Sequence, residues 1–272
     1  MKRLLGIFSI IFLSLIISAC GNTDKEQAEN KETGSKEEQN LLDKVKAEGK
    51  LRIGTEGTYA PFTFHDESGK LTGFDVELAT EVAKRLGVEP EFMETQWDAM
   101  FAGLDSERFD MIANQVGIRP DRQEKYDFSN HYISSPAVLI AHKDNDAVKG
   151  FEDIKGLKSA QSLTSNYSTI AKDNGAEIVG VEGFNQAIDL INSKRADVTI
   201  NDKLSVLDLL KQKPDTPIKI VAEHEDASRS GFMFRKSNTE LVDAVNKALQ
   251  DIIDDGTYEE ISKKWFGENV LN

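Results

Sequence analysis

Apolar positions along the chain recur at two periods, and their alternation predicts the fold. Leu51 to Thr55 ("LRIGT") has the length and composition of a buried strand. Gly73 to Gly87 ("GFDVELATEVAKRLG") carries Leu78, Ala79, Val82, Ala83 and Leu86 at helical spacing, with Asp75 placed to cap its start and Gly87 to stop it. "EFMET" predicts a strand, "WDAMFAGLDSERF" a helix with Met100, Phe101 and Leu104 on one stripe, and "DMIANQ" another strand. This alternation predicts a parallel sheet covered on both faces.

The pattern restarts after Tyr132. "SPAVLIAH", "KSAQS", "AEIVGV" and "ADVTIND" predict strands, separated by helices in "TIAKDNG" and "GFNQAIDLINSKR". "KLSVLDLLKQ" predicts a helix ended by Pro214, "IKIVAE" and "SGFMFR" two more strands, and Asn238 to about Asp255 a long helix. A last short helix has Tyr258, Ile261, Trp265 and Phe266 as apolar anchors. One internal echo links the halves: "LDSERFDMIAN" (Leu104 to Asn114) aligns with "INSKRADVTIN" (Ile191 to Asn201), with Ser106/Ser193, Arg108/Arg195, Asp110/Asp197 and Asn114/Asn201 identical. Either both halves use one helix-to-strand turn, or two lobes share a build. In the second case Asn114-Gln115 and Asn201-Asp202 both sit at the carboxyl ends of strands, where open α/β sheets bind ligands.

The N-terminus sets the compartment. Met1-Lys2-Arg3 is basic, Leu4 to Ile17 almost wholly apolar, and Ser18-Ala19 small. Residues 1–19 therefore predict a secretory signal, too short for a comfortable membrane span. Cys20, the only cysteine, follows directly, and "ISAC" resembles a bacterial lipobox. Cys20 is then either a lipid-bearing N-terminus or a free thiol; two acyl chains would anchor the protein firmly to the membrane. Gly21 to Asn40 contains no Val, Ile, Leu, Phe, Tyr or Trp, so residues 20–40 predict a flexible tether. Loss of the leader removes Lys2 and Arg3 and no acid, moving the net charge from −14 to −16. Such a surface argues against nucleic acid and anionic lipid as partners. About 230 residues remain, enough for two lobes.

"NQVGIRPDRQEKYDFS" (Asn114 to Ser129) leaves a strand and at once presents amides, a glycine, Arg119 and Arg122. It is either a solvated loop opening a surface helix or a mouth that grips an anion. His65, His131, His142 and His224 are scattered, and neither metal spacing nor a nucleophile motif is present. No cofactor is expected, and no nucleotide-binding loop is present.

The runs "GTEGTYAPFTF", "LTGFDVELATEVAKRLG", "TQWDAMFAGL", "NQVGI" with "DRQEKYDFS", and "DDGTYEEISKKWFG" together resemble the extracellular amino-acid-binding proteins of ABC importers, solute-binding protein family 3. The resemblance runs from about Leu41 to the C-terminus. It implies an α/β, periplasmic-binding-protein-like clamshell of type II: lobe 1 from 41–135 and 231–272, lobe 2 from 136–230. Two hinge strands would lie near Ser135 to Ala141 and Ser228 to Phe234.

It also implies the chemistry of a clamp. An amino acid buried between lobes needs both its charges met. Arg122 matches the family's carboxylate-binding arginine, although a surface salt bridge is its ordinary role; Arg119 has no matching role. Gln115 and Gly117 match positions offering amide or backbone contacts. Thr164, Ser165 and Asn166 would add donors at a helix start, where they can equally be caps. Asp202 matches the acid that receives the ammonium, and it too can be an N-cap. Tyr59 and Trp97 match aromatic walls, with core packing the alternative for Trp97. "INDK", "NQV" and "SLTSNY" most resemble the cystine-binding branch, in which Glu56 would meet a second ammonium. The implied protein is a monomeric, lipid-anchored receptor that delivers its ligand to an ABC permease. Cysteine, another polar amino acid or an opine is an alternative ligand, and a dehydratase-like enzyme an alternative of another class.

Overall fold

The computed structural model describes residues 40–272; the signal segment, Cys20 and the tether up to residue 39 lie outside the described residues. The side chain of Asn40 accepts the Asp43 N–H and so caps α1 (Leu41–Glu48). The chain continues through β1 (Lys50–Thr55), the small antiparallel strands β2 (Thr58–Tyr59), β3 (Thr63–His65) and β4 (Leu71–Thr72), then α2 (Phe74–Leu86) and β5 (Glu89–Glu94). Next come α3 (Trp97–Asp105), β6 (Met111–Ile112), α4 (Pro120–Gln123) and β7 (Tyr126–Phe128). The second lobe holds β8 (Ile133–His142), β9 (Lys158–Gln161), α5 (Asn166–Asp173), β10 (Glu177–Gly180), α6 (Phe184–Asn192), β11 (Val198–Asp202), α7 (Lys203–Gln212) and β12 (Ile218–Ser230). β13 (Met233–Arg235), α8 (Thr239–Asp254) and α9 (Thr257–Phe266) close the chain.

Two five-stranded sheets result, ordered β5-β1-β6-β13-β7 and β10-β9-β11-β8-β12. Neither is purely parallel, as the alternation had predicted. β5 and β6 pair in parallel with β1, but β13 is antiparallel to β6 and β7. In the second sheet β8 is antiparallel to both β11 and β12. The reason is the double crossing: strands that carry the chain between lobes enter against the direction of the βα units. β12 is also one strand to Ser230, longer than the run "IKIVAE". The crossing lies where Ile133–Pro136 pairs with Ala227–Ser230, and Val138–Ala141 pairs inside the second sheet. The first hinge strand therefore starts earlier than expected.

Asp75 does not cap α2. That helix starts after Gly73, whose φ of 131° and close approach to the Phe62 carbonyl leave no room for a Cβ. Asp75 lies inside the first turn, fully buried, and its carboxylate points elsewhere. Gly87 ends the helix in the left-handed conformation, as expected. The C-terminal helices pack on α2 through Phe74, whose ring lies 5.0 Å from Phe266, and the Tyr258 hydroxyl donates to the Tyr132 carbonyl ahead of β8.

The internal echo is one helix–turn–strand unit used twice. Glu107 and Lys194 both take positive φ, 59° and 55°. Ser106 and Ser193 end α3 and α6 with hydroxyls turned back onto helix carbonyls. Asp110 and Asp197 each accept a backbone N–H of the neighbouring strand, from Arg52 in β1 and from Lys158 at the start of β9. The lobes differ at this point in charge: Asp110 is fully buried and also takes the Arg52 guanidinium at 2.6 Å. Arg52→Ala leaves that carboxylate buried without its cation and should cost about 3 kcal/mol. Asp197→Ala, which removes an acceptor for one N–H, should cost about 1 kcal/mol. Urea unfolding of the two variants measures the difference.

Candidate functional site

The carboxyl ends of β1, β6, β9 and β11 all open on one cleft between the lobes. A cavity lies there, open to solvent at its mouth. Six residues singled out from the sequence line it: Glu56, Tyr59, Trp97 and Gln115 from the first lobe, Ser165 and Asn166 from the second. Gly117, Arg122, Thr164 and Asp202 are not in its lining; they stand behind or beside it.

The cleft is closed, and hydrogen bonds cross it. The Tyr59 hydroxyl donates to Asn201 Oδ1 at 2.8 Å. Gln115 Nε2 donates to Asp202 Oδ2 at 2.7 Å. Asp98, in the first turn of α3, accepts the Leu163 and Thr164 N–H groups and the Thr164 hydroxyl. Thr164 is thus held by a carboxylate of the other lobe.

Arg122 is buried, and its polar neighbours are carbonyls. Nη1 donates to Gly117 O at 3.0 Å and Nη2 to Thr164 O at 3.3 Å. Its guanidinium carbon lies 5.4 Å from the ring centroids of Trp97 and Phe101. No carboxylate pairs with it among the described residues. Burial, with Arg119 nearby, pulls its pKa down to about 10. Arg119 instead pairs with Asp121 at 2.9 Å and reaches Thr169 across the cleft. The opening pair of arginines therefore divides into one neutralised and one buried without an anion, a costly state unless an anion is to be received.

Two acids face the opposite problem. Asp202 is buried; one oxygen caps α7 through the Leu204 N–H and the other accepts from Gln115. The N-cap role weighed for it is present, alongside the cross-cleft bond. Burial pushes its pKa up to about 6. Glu56 is pushed up to about 7 by burial, against the pull of Asn114 Nδ2, which donates to its Oε2 at 2.8 Å. Its Oε1 approaches Gly183, where a Cβ would stand 3.4 Å away. Ser165 caps α5 through the Ser168 N–H and also lines the cavity, so its two readings coexist. Trp97 packs on Phe101 and lines the cavity as well, while its indole N–H is buried with no acceptor among the described residues.

Several lining residues were not foreseen: Gln161, Tyr167, Phe184 and Thr199. Gln161 ends β9 as Asn114 and Asn201 follow β6 and end β11, so the strand-end rule that found those two also reaches it. Tyr167 and Phe184 begin helices, and nothing in their local patterns marks them as walls. Asn114 and Asn201 had been noted only as strand-end groups; each proves to hold a neighbour, Glu56 and Tyr59. Among the described residues none of the histidines lines the cavity.

Residues 51–268 match the bacterial extracellular solute-binding proteins, family 3. The L-cystine-binding protein TcyA of Bacillus subtilis (strain 168) is 49% identical over 99% of this chain and 98% of its own length. The crystal structure of the L-cystine solute receptor of Neisseria gonorrhoeae, in the unliganded open conformation, is 48% identical over 85% of this chain and 99% of that chain, with a TM-score of 0.57. An ancestral arginine-binding protein bound to arginine is only 38% identical, over 80% and 99%, yet superposes better, with a TM-score of 0.76. The scores invert the identities because a rigid superposition is sensitive to the angle between lobes, and the cross-cleft bonds here belong to a closed clamshell. The chain belongs to the bacterial extracellular solute-binding proteins of family 3.

Proposed function

We propose that this protein is a lipid-anchored extracellular receptor that captures L-cystine between its lobes and delivers it to an ABC permease, without chemical change to the ligand. One observation carries the reading: a buried guanidinium lacking an anion, a buried carboxylate and a half-buried one, both lacking a cation, flank the cavity of one closed cleft. A zwitterion supplies both missing charges. The ligand's carboxylate replaces the carbonyls at Arg122, assisted by Gln115, the Gly117 backbone and the donors at Thr164, Ser165 and Asn166. One ammonium meets Asp202, and Tyr59 and Trp97 wall the chain between. Cystine carries a second ammonium, and Glu56 receives it.

Relatives named for L-cystine support the ligand, and Cys20 directly after the signal segment 1–19 supports the anchor. Residues 20–40 then act as tether, 41–135 with 231–272 as one arm of the clamp, and 136–230 as the other. A monomer suffices, since both arms come from one chain. Ligand that bridges the arms favours the closed form, which is the form presented to the permease.

Thermal unfolding of unfolded-and-refolded protein against a panel of amino acids tests the reading. L-cystine should raise the transition selectively, since a ligand at a hundred times its Kd adds about 2.7 kcal/mol. Arg122→Met should abolish the shift; a shift that survives it removes Arg122 from the site. Glu56→Gln should weaken cystine about tenfold while leaving single-ended amino acids unchanged; equal cystine affinity in the variant would sink the second-ammonium role.

Affinity should also follow pH. Binding an ammonium favours the ionised carboxylates, whose pKa values without ligand are raised to about 6 at Asp202 and about 7 at Glu56. Affinity is therefore full from about pH 8 and falls by at least about tenfold between pH 8 and pH 5, with protons released on binding inside that window. Calorimetry at pH 6 in two buffers of different ionisation enthalpy reads the release directly.

A further inference from the structure

Gln115 is the hub of the cleft, and its backbone is strained. It is one of few non-glycine residues with a positive φ, 48°. From that conformation its side-chain oxygen lies 3.2 Å from the Tyr59 hydroxyl, as a second, longer acceptor beside Asn201, its amide nitrogen donates to Asp202, and its carbonyl accepts the Ser230 hydroxyl at the hinge. The preceding Asn114 brackets Glu56, accepting its N–H and donating to its carboxylate. A change at this one turn would therefore move Glu56, Tyr59 and Asp202 contacts together. A glycine would hold the conformation at little cost; a glutamine needs an outside restraint.

That restraint comes from behind the cavity. Asp75 Oδ2 accepts the Gln115 N–H and the Tyr132 hydroxyl, the latter at 3.0 Å. Asp75 is fully buried, its Oδ1 has no partner among the described residues, and it does not line the cavity. Burial raises its pKa to about 7, and the ionisable groups around it are Asp202, Tyr132 and Tyr258, none a cation. An expensive buried carboxylate, unused as a helix cap, spends its hydrogen bonds on one strained turn and one hinge tyrosine.

We propose that Asp75 is a positioning residue for ligand capture, holding Gln115 in its left-handed conformation so that the Gln115 side chain joins the two lobes. The affinity consequence rests on the amino-acid reading above; the effect on Gln115 does not.

The test uses ¹⁵N-labelled wild-type protein, Asp75→Asn, Tyr132→Phe and Gln115→Ala, with L-cystine as probe. At about pH 8.5, above the raised pKa of Asp75, the near-isosteric Asp75→Asn should move the Gln115 backbone amide resonance upfield, because a charged acceptor becomes a neutral one, and should weaken cystine about tenfold. Tyr132→Phe, which removes the other bond to the same oxygen, should leave affinity within about twofold. In the Gln115→Ala background Asp75→Asn should weaken cystine less than in the wild-type background, because the Gln115 side-chain contacts that Asp75 positions are already gone. An unmoved Gln115 amide, or an equal loss of affinity in the Gln115→Ala background, overturns the inference. A wild-type protein that leaves cystine unbound would remove the proposed ligand instead, and the Gln115 amide would then decide for or against Asp75 alone.

Discussion

A buried guanidinium, a buried carboxylate and a half-buried one surround one cleft, and no ion pair joins them. Arg122 is turned to carbonyls, Asp202 to a helix start and an amide, Glu56 to an asparagine. Each such charge weakens the empty fold relative to a version with neutral groups. The fold tolerates them by surrounding each with dipoles: two backbone carbonyls and two aromatic faces for the cation, N–H groups and amides for the acids. These dipoles moderate the charges without neutralising them. The pKa values, lowered at Arg122 and raised at both acids, register the remaining deficit.

The two lobes bring those charges together through one repeated unit. Helix α3 and helix α6 end in the same serine-capped, left-handed turn, and each turn feeds a strand that opens on the cleft in an asparagine. From there the copies diverge. After Asn114 the first lobe turns through Gln115 towards Arg122; after Asn201 the second presents Asp202 at the start of α7. A shared scaffold thus delivers a positive group from one side and a negative group from the other, so that closure is what assembles a zwitterion site. Asp98 adds a fastening at the rim that does not involve the charges, since it grips backbone N–H groups of the opposite loop.

Much of this was readable from the chain because strand ends carry their function in local order. The runs ending in Asn114-Gln115 and Asn201-Asp202 are apolar until the cleft begins, and the switch to amides marks the mouth. What failed was partner choice. Asp75 follows a glycine at a helix start, where an acid is usually a cap; only the packing of Gly73 against the Phe62 carbonyl turns it inward to Gln115. Arg122 was expected to face a carboxylate, and its present turn to the Gly117 and Thr164 carbonyls beside Trp97 and Phe101 is a matter of packing that no local pattern carries. Tyr167 and Phe184 stayed hidden because an aromatic opening a helix has the same pattern whether it walls a cavity or fills a core. The mixed sheets escaped because local periodicity has no direction: β13 and β8 read as strands, and only the double crossing makes them antiparallel.

Glu56 and Asp202 meet different fates in this arrangement, and the difference bears on selectivity. Asp202 is held through one oxygen by the start of α7 within its own lobe, and its other oxygen gains the Gln115 amide across the closed cleft. Glu56 keeps Oε1 free of protein donors and directed towards Gly183, with a pKa near neutrality. A ligand with one ammonium satisfies Asp202 and leaves Glu56 able to take a proton and become a neutral donor. A ligand with two ammonium groups draws Glu56 into its ionised form. Discrimination between the two is a difference of affinities, and here it grows with the ionised fraction of a single carboxyl. With Glu56 in the role proposed for it, the site would select most strongly for a doubly headed ligand on the alkaline side of neutrality, and would become more permissive as the medium acidifies.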